Sequence, residues 1–186
     1  MKWINFLIEY IKSPRTIGAI APSSEKLAKE MVKGIDFNSA ECIVEYGPGT
    51  GVFTEELVNR KSKDTKLILL EYNQQFCEQL VKKYSGYDNV IIVNDSAEKI
   101  HKHLEKYGIE RVDYIVSGLP FASLPKSISN NILNNTREIL KRDGIFITFQ
   151  YTLLKKEYIA GYFKSVSYGR VLLNLPPAYV LRCKNA

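Results

Sequence analysis

Glu45-Tyr46-Gly47-Pro48-Gly49-Thr50-Gly51 closes a strand-like run, Cys42–Tyr46, and opens a helical one, Phe53–Arg60. Three glycines at alternate positions let the backbone turn sharply and come close to a ligand at the carboxyl edge of a sheet. The spacing is GxGxG. A dinucleotide fingerprint requires GxGxxG, and Val52 fills its last position, so NAD is a poor fit. Pro48 also removes one backbone donor, which weakens a pyrophosphate cradle and leaves a ligand without phosphate unaffected.

Outward from this loop, strand-like runs at Lys66–Tyr72, Val90–Val93, Asp113–Ser117 and Ile145–Gln150 alternate with helical patterns at Gln74–Tyr84, Ala97–Tyr107 and Ser127–Lys141. That alternation predicts βαβ units and a parallel sheet. Two more strands are expected at Tyr168–Leu173 and Ala178–Cys183, and Asn174-Leu175-Pro176-Pro177 between them is too short for a crossover helix, so they should pair antiparallel. The expected fold is therefore α/β: a doubly wound, Rossmann-like sheet with an antiparallel C-terminal strand pair. An N-terminal helical extension over residues 1–34 precedes a single domain over 35–186. In the extension, Trp3, Leu7, Tyr10 and Ile11 recur at helical spacing, with Ile4, Phe6 and Ile8 widening the apolar face. A second helix starts at Pro22-Ser23-Ser24, reaches Val32 and stops near Gly34.

A chain of 186 residues buries a core without disulfides or structural metal. Its 45% hydrophobic and 25% charged residues are those of a soluble globular protein. A formal charge of +6 favours an anionic partner such as nucleic acid or acidic lipid, but the basic residues are spread along the chain rather than gathered in one arm. Cys42, Cys77 and Cys183 form no CxxC pair and read as free thiols in a reducing cytoplasm. His101 and His103 point to different faces of a helix, so no metal site is expected. Asn5 and Glu9 interrupt the apolar start, which does not read as a signal peptide. No uncharged apolar run approaches the ~20 residues that a membrane-spanning helix needs.

The candidate site gathers at the carboxyl ends of the strands. Glu45, Tyr46, Gly47, Gly49 and Gly51 form its first part. Glu71 stands twenty positions after Gly51, where a carboxylate can accept hydrogen bonds from both hydroxyls of a ribose, and Tyr72 follows it. Asn94-Asp95-Ser96-Ala97 follow the third strand, where an adenine ring would lie. Asp95 can accept from the adenine amino group, and Ser96 or Ala97 can offer a backbone amide to a ring nitrogen. Asp95 or Ser96 serves equally well as a helix N-cap. S-adenosylmethionine, a nucleoside ligand with no phosphate, is the cofactor these features predict. After the fourth strand, the carbonyls of Ser117-Gly118-Leu119-Pro120-Phe121 are expected to orient a substrate amine while Phe121 lines the pocket; the alternative is a proline loop with a core phenylalanine. Ser117, Leu119 and Phe121 are thus the candidate catalytic residues.

Taken together, the glycine motif and Glu71 resemble motifs I and II of the class I S-adenosylmethionine-dependent methyltransferases. Three segments resemble, more narrowly, the soluble bacterial phospholipid N-methyltransferases, which convert phosphatidylethanolamine to phosphatidylcholine. They are Ser13-Pro14-Arg15-Thr16-Ile17-Gly18-Ala19-Ile20-Ala21-Pro22-Ser23, Ser117-Gly118-Leu119-Pro120-Phe121 and Asn174-Leu175-Pro176-Pro177-Ala178. This resemblance implies an aminophospholipid substrate and an anionic membrane surface as partner, with no nucleic acid. It also implies a cytoplasmic enzyme held peripherally at the inner face of the membrane.

The rRNA adenine N6-dimethyltransferases have a similar glycine motif but carry Asn-Leu-Pro-Tyr after the fourth strand, where this chain has Ser117 and Phe121. They also carry a helical C-terminal domain that is not expected here. Serine holds a planar adenine amino group less well than an asparagine carboxamide does. RNA methylation is therefore the alternative, and a binding protein that has lost the reaction is a third reading. Chemistry on an already activated sulfonium methyl is expected to depend on positioning and desolvation of a neutral amine. Tyr10, Tyr46, Tyr151 and Tyr179 are candidate pocket residues.

Overall fold

A computed structural model of the protein describes residues 22–153, 155–172 and 177–185. Within them, seven strands form one sheet in the order β3-β2-β1-β4-β5-β7-β6. The strands are β1 (Cys42–Tyr46), β2 (Lys66–Leu70), β3 (Val90–Val93), β4 (Val112–Ser117), β5 (Leu140–Gln150), β6 (Ser165–Val171) and β7 (Ala178–Lys184). β1 to β5 run parallel, and β7 pairs antiparallel with both β5 and β6. The helices are α1 (Pro22–Val32), α2 (Val52–Arg60), α3 (Gln74–Tyr84), α4 (Ile100–Lys106), α5 (Lys126–Ile139) and α6 (Lys156–Ala160). A 3₁₀ turn, Ala97–Lys99, leads into α4.

The central strands are buried on both faces, and their sequences are accordingly near-continuous apolar runs. Alternate residues feed opposite cores. Val44, Tyr46, Ile68, Leu70, Ile115 and Phe146 pack with Ile100, Leu104, Ile132 and Leu133 of α4 and α5. On the other face, Ile43, Leu67, Leu69, Val116 and Ile147 pack with Met31, Leu57 and Leu80 of α1, α2 and α3. The strand order reverses between β1 and β4, which opens a crevice at the carboxyl ends of the strands.

Several boundaries differ from those expected. β2 stops at Leu70, which leaves Glu71 and Tyr72 just beyond its end. β5 starts at Leu140 rather than Ile145, directly after α5. Leu140 pairs with Val112, and a register irregularity follows before Tyr114 meets Ile145. The sequence pattern places Lys141 at the end of the helical stretch Ser127–Lys141 and leaves Arg142 and Asp143 between elements. Lys141 is nevertheless held in the strand by ion pairs to Asp113 at 2.8 Å and Glu41 at 2.5 Å. Helix α6 was not expected, and β6 begins earlier, at Ser165.

Helix α1 packs as part of the sheet's cover. Leu27, Met31 and Val32 are buried, and Arg182 of β7 donates to the Glu30 side chain at 2.9 Å and to its carbonyl at 2.6 Å. The expected helix over Trp3–Ile11 lies outside the described residues, as does Tyr10.

Candidate functional site

The glycine loop between β1 and α2 is built so that backbone replaces side chains. Gly47, Gly49 and Gly51 take φ values of 63°, 56° and 83°, a region that costs little only for glycine. A Cβ on Gly118 would lie 2.7 Å from the Gly47 carbonyl oxygen, so the loops after β1 and β4 press together with no room for a side chain. The Gly118 amide donates to the Tyr46 carbonyl at 2.9 Å across the same seam.

Two carboxylates flank this loop. Glu71 is buried; its Oε2 accepts from the Gly49 amide at 2.9 Å and its Oε1 from the Asn73 amide at 2.7 Å. Burial raises its pKa, opposed by the amides of Asn73, Gly49 and Tyr72. Glu45 has no exposed surface. Its Oε2 accepts from the Thr54 hydroxyl at 2.7 Å, whereas its Oε1 has no hydrogen-bond partner. Burial pushes the Glu45 carboxyl up to about 8, the Thr54 hydroxyl opposes this, and the nearby Glu71 charge adds to it.

A third carboxylate, Asp95, follows β3. Its Oδ1 meets Lys99 Nζ at 2.9 Å and the Ser96 amide at 2.8 Å, and His103 Nε2 lies 3.0 Å from its Oδ2. Burial works to raise this pKa, but Lys99, the Ser96 amide and His103 together hold it at about 2. Ser96 Oγ accepts from the Glu98 amide at 3.2 Å, so it caps the 3₁₀ turn. Asn94, singled out only as part of this segment, donates to the carbonyls of Glu71 at 2.8 Å and Tyr72 at 3.2 Å, tying the loops after β2 and β3 together. Thr54 and His103 are the supporting residues whose place at the site sequence reasoning missed. A threonine one turn into α2 and a histidine facing Asp95 from α4 carry no spacing signal of their own.

A cleft runs past Glu71 and Asp95. Gly47, Glu71, Asp95 and Ser96 form its polar side, with Tyr72 and Ala97 beside them. Leu119, Leu124, Ile128 and Ile132 form an apolar wall opposite.

Two expected residues point elsewhere. Tyr46 is fully buried in the core, with its hydroxyl accepting from Thr136 at 3.4 Å, so only its backbone borders the loop. Phe121 is 1% exposed and meets Phe146 edge-on at 5.9 Å, so it supports the cleft from below instead of lining it. Leu119 is the member of that segment that reaches the cleft. The Ser117 hydroxyl is turned inward, accepting from the Leu119 amide at 3.2 Å.

The donor set fits a cationic nucleoside ligand without phosphate. A buried acceptor with no donor, as at Glu45 Oε1, is costly unless a ligand meets it, and an ammonium group would do so. S-adenosylmethionine carries such a group, together with vicinal hydroxyls and an adenine.

Comparison with known proteins agrees. Residues 22–167 match the family described as ribosomal RNA adenine dimethylase. Over 181 residues the chain is 30% identical to an ornithine lipid N-methyltransferase of Singulisphaera acidiphila, covering 96% of this chain and 94% of that one. It is 25% identical over 157 residues to an rRNA adenine N-6-methyltransferase of Bacillus licheniformis, covering 81% of this chain and 51% of that protein. Among solved structures, the N-methyltransferase NodS of Bradyrhizobium japonicum, in complex with S-adenosylhomocysteine, superposes with a TM-score of 0.68 at 12% identity, covering 88% of each chain. A methyltransferase of Aquifex aeolicus also gives a TM-score of 0.68, at 14% identity over 89% of this chain and 94% of that one. The chain belongs to the ribosomal RNA adenine dimethylase family and is a class I methyltransferase that uses S-adenosylmethionine.

Proposed function

We propose that this methyltransferase acts on the amine of an aminolipid head group. The similarity to an ornithine lipid N-methyltransferase over nearly the whole of both chains carries this reading. It is supported at the end of β4, where Ser117 stands in place of the asparagine of the rRNA adenine N6-dimethyltransferases and its hydroxyl accepts from the Leu119 amide. The relative that acts on rRNA is matched over about half its length.

In this reading Glu71 accepts from the ribose hydroxyls, and Asp95 with the backbone at Ser96 and Ala97 receives the adenine. Tyr72, Leu119 and Ile128 flank the ring, and Glu45 Oε1 receives the ammonium. The backbone at Gly47, Gly49 and Gly51 lets the ligand approach closely. When bound, S-adenosylmethionine supplies a methyl group already activated on a sulfonium. Leu119, Leu124, Ile128 and Ile132 exclude water and favour the neutral form of an entering amine, which needs its lone pair free. Carbonyls of the 117–121 turn accept from its N–H and set its direction.

The apolar segment from Met1 to about Lys12 is proposed to lie against an anionic membrane surface, so that the enzyme works as a peripheral protein at the cytoplasmic face. No helix among the described residues is long and apolar enough to cross a membrane. The deciding experiment offers labelled cofactor with vesicles of ornithine lipid, vesicles of phosphatidylethanolamine, and unmodified rRNA in parallel. Label in a lipid is the expected result. Label in rRNA alone overturns the reading in favour of adenine methylation, to which the family's description points.

A further inference from the structure

We infer that the side-chain carboxamide of Gln150 holds the acceptor substrate beside the Ser117–Leu119 turn, with Oε1 accepting from the amine N–H and Nε2 donating to an oxygen of the same head group. Only the identity of the acceptor rests on the aminolipid reading above. Gln150 ends β5 and is 5% exposed, yet neither Oε1 nor Nε2 has a hydrogen-bond partner. A buried amide with both ends unmet has given up its bonds to water without replacement, so the folded protein gains by meeting them with a ligand.

The position of Gln150 says which ligand. Side chains alternate along a strand, so Gln150 shares a face with Phe146 and Thr148. Thr148 stands opposite Ser117 in the β4–β5 register, and its hydroxyl donates to the Ser117 carbonyl at 3.4 Å. β4 ends at Ser117, so at Gln150 that neighbour has already turned away, while Tyr179 of β7 is paired on the other side. Phe146 belongs to the same core as Leu119 and Ile132, the wall of the cleft. Gln150 therefore stands at the carboxyl edge of the sheet, on the cleft's face, past the strand whose turn is proposed to receive the amine.

The type of side chain narrows the acceptor further. A carboxamide offers an acceptor and two donors without charge. It can orient a neutral amine and leave its lone pair free, whereas a carboxylate would favour the ammonium form, which cannot attack. The acceptor it suits is a primary or secondary amine with an oxygen acceptor a few bonds away.

The test compares Gln150→Leu and Gln150→Glu with the parent in the full chain. Gln150→Leu keeps the approximate shape and removes both unmet polar atoms. Its melting temperature without substrate is expected to equal or exceed the parent's, its cofactor affinity to stay within about twofold, and its kcat/KM for the lipid acceptor to fall about tenfold or more. Gln150→Glu should move the rising limb of the kcat pH profile upward, because the bound amine then holds its proton longer. If the parent labels rRNA instead of lipid, the aminolipid reading falls and the same loss is expected on that acceptor. The proposal itself is overturned if Gln150→Leu leaves turnover unchanged on whichever acceptor the parent uses. It is equally overturned if Gln150→Leu lowers the melting temperature by several degrees, since the amide would then be bonded within the protein.

Discussion

The Glu71 carboxylate accepts the Gly49 amide at 2.9 Å, so the acid past the end of β2 fixes the middle of the glycine loop after β1. Its second oxygen accepts the Asn73 amide at 2.7 Å. One side chain thus shapes both loops that border the cleft.

Glu71→Ala should therefore harm binding and stability together. Two amides lose a charged acceptor, which costs about 1–3 kcal/mol of stability. If Glu71 holds the ribose as proposed, cofactor affinity should also fall at least about tenfold. Titration calorimetry and thermal melts read the two effects, and parent-like affinity in Glu71→Ala would remove the ribose assignment.

Gly118→Ala places a methyl 2.7 Å from the Gly47 carbonyl oxygen, a backbone atom that cannot swing aside. The loops after β1 and β4 must separate, at a cost of about 1–3 kcal/mol, with weakened cofactor binding. Gly86→Ala is the control, since a Cβ there meets nothing within 4 Å. Equal melting temperatures for the two variants would contradict the close approach of the loops.

Phe121→Ala tests the corrected place of that residue. Removing a ring packed against Phe146 from the core should cost about 3–5 kcal/mol and show as a large fall in melting temperature. Leu119→Ala, at the wall of the cleft, should instead reduce turnover with a smaller loss of stability. The opposite ranking in thermal melts would return Phe121 to the pocket.

Glu45 makes the fold sensitive to pH in a direction unlike that of most carboxylates. Burial pushes it up to about 8 from an ordinary 4.5, so between these values the native state holds a proton that the unfolded chain has released. Stability is then greatest at the acid end of that window and declines as pH rises through it. Melts of the cofactor-free protein from pH 5 to pH 8 should show this decline, and Glu45→Gln should flatten it. If an ammonium meets Oε1, cofactor binding below about pH 8 should release a proton, visible as a dependence of the binding heat on the buffer's ionisation enthalpy. Identical pH slopes for Glu45→Gln and the parent would rule out the buried proton.

Much of this architecture was legible because it rests on burial. β1 and β3 have the bounds that their apolar runs announce, and the antiparallel pairing of β6 with β7 follows from a connection too short for a crossover. β5 extends past its apolar run because Lys141 is held in it by ion pairs to Asp113 and Glu41, which leave no periodic trace. At the site, Glu71 and Asp95, singled out by type and spacing, both line the cleft. Side-chain direction was harder to read. The loop after Ser117 has no period, so nothing in the residues says that Phe121 turns down and Leu119 up. For Tyr46 the signal was the run itself: Cys42–Tyr46 is a near-continuous apolar strand of the kind buried on both faces.

β7 lies between β5 and β6 although it follows both in the sequence. As the chain leaves the ribosome, β6 emerges with no strand beside it, and β5 presents a bare row of amides and carbonyls. The sheet is completed only when residues 178–184 slide into that slot and bond to both sides at once. A chain stalled or clipped before that point keeps an open β-edge, and its failure would be intermolecular strand pairing and recruitment of chaperones, ahead of any loss of cofactor.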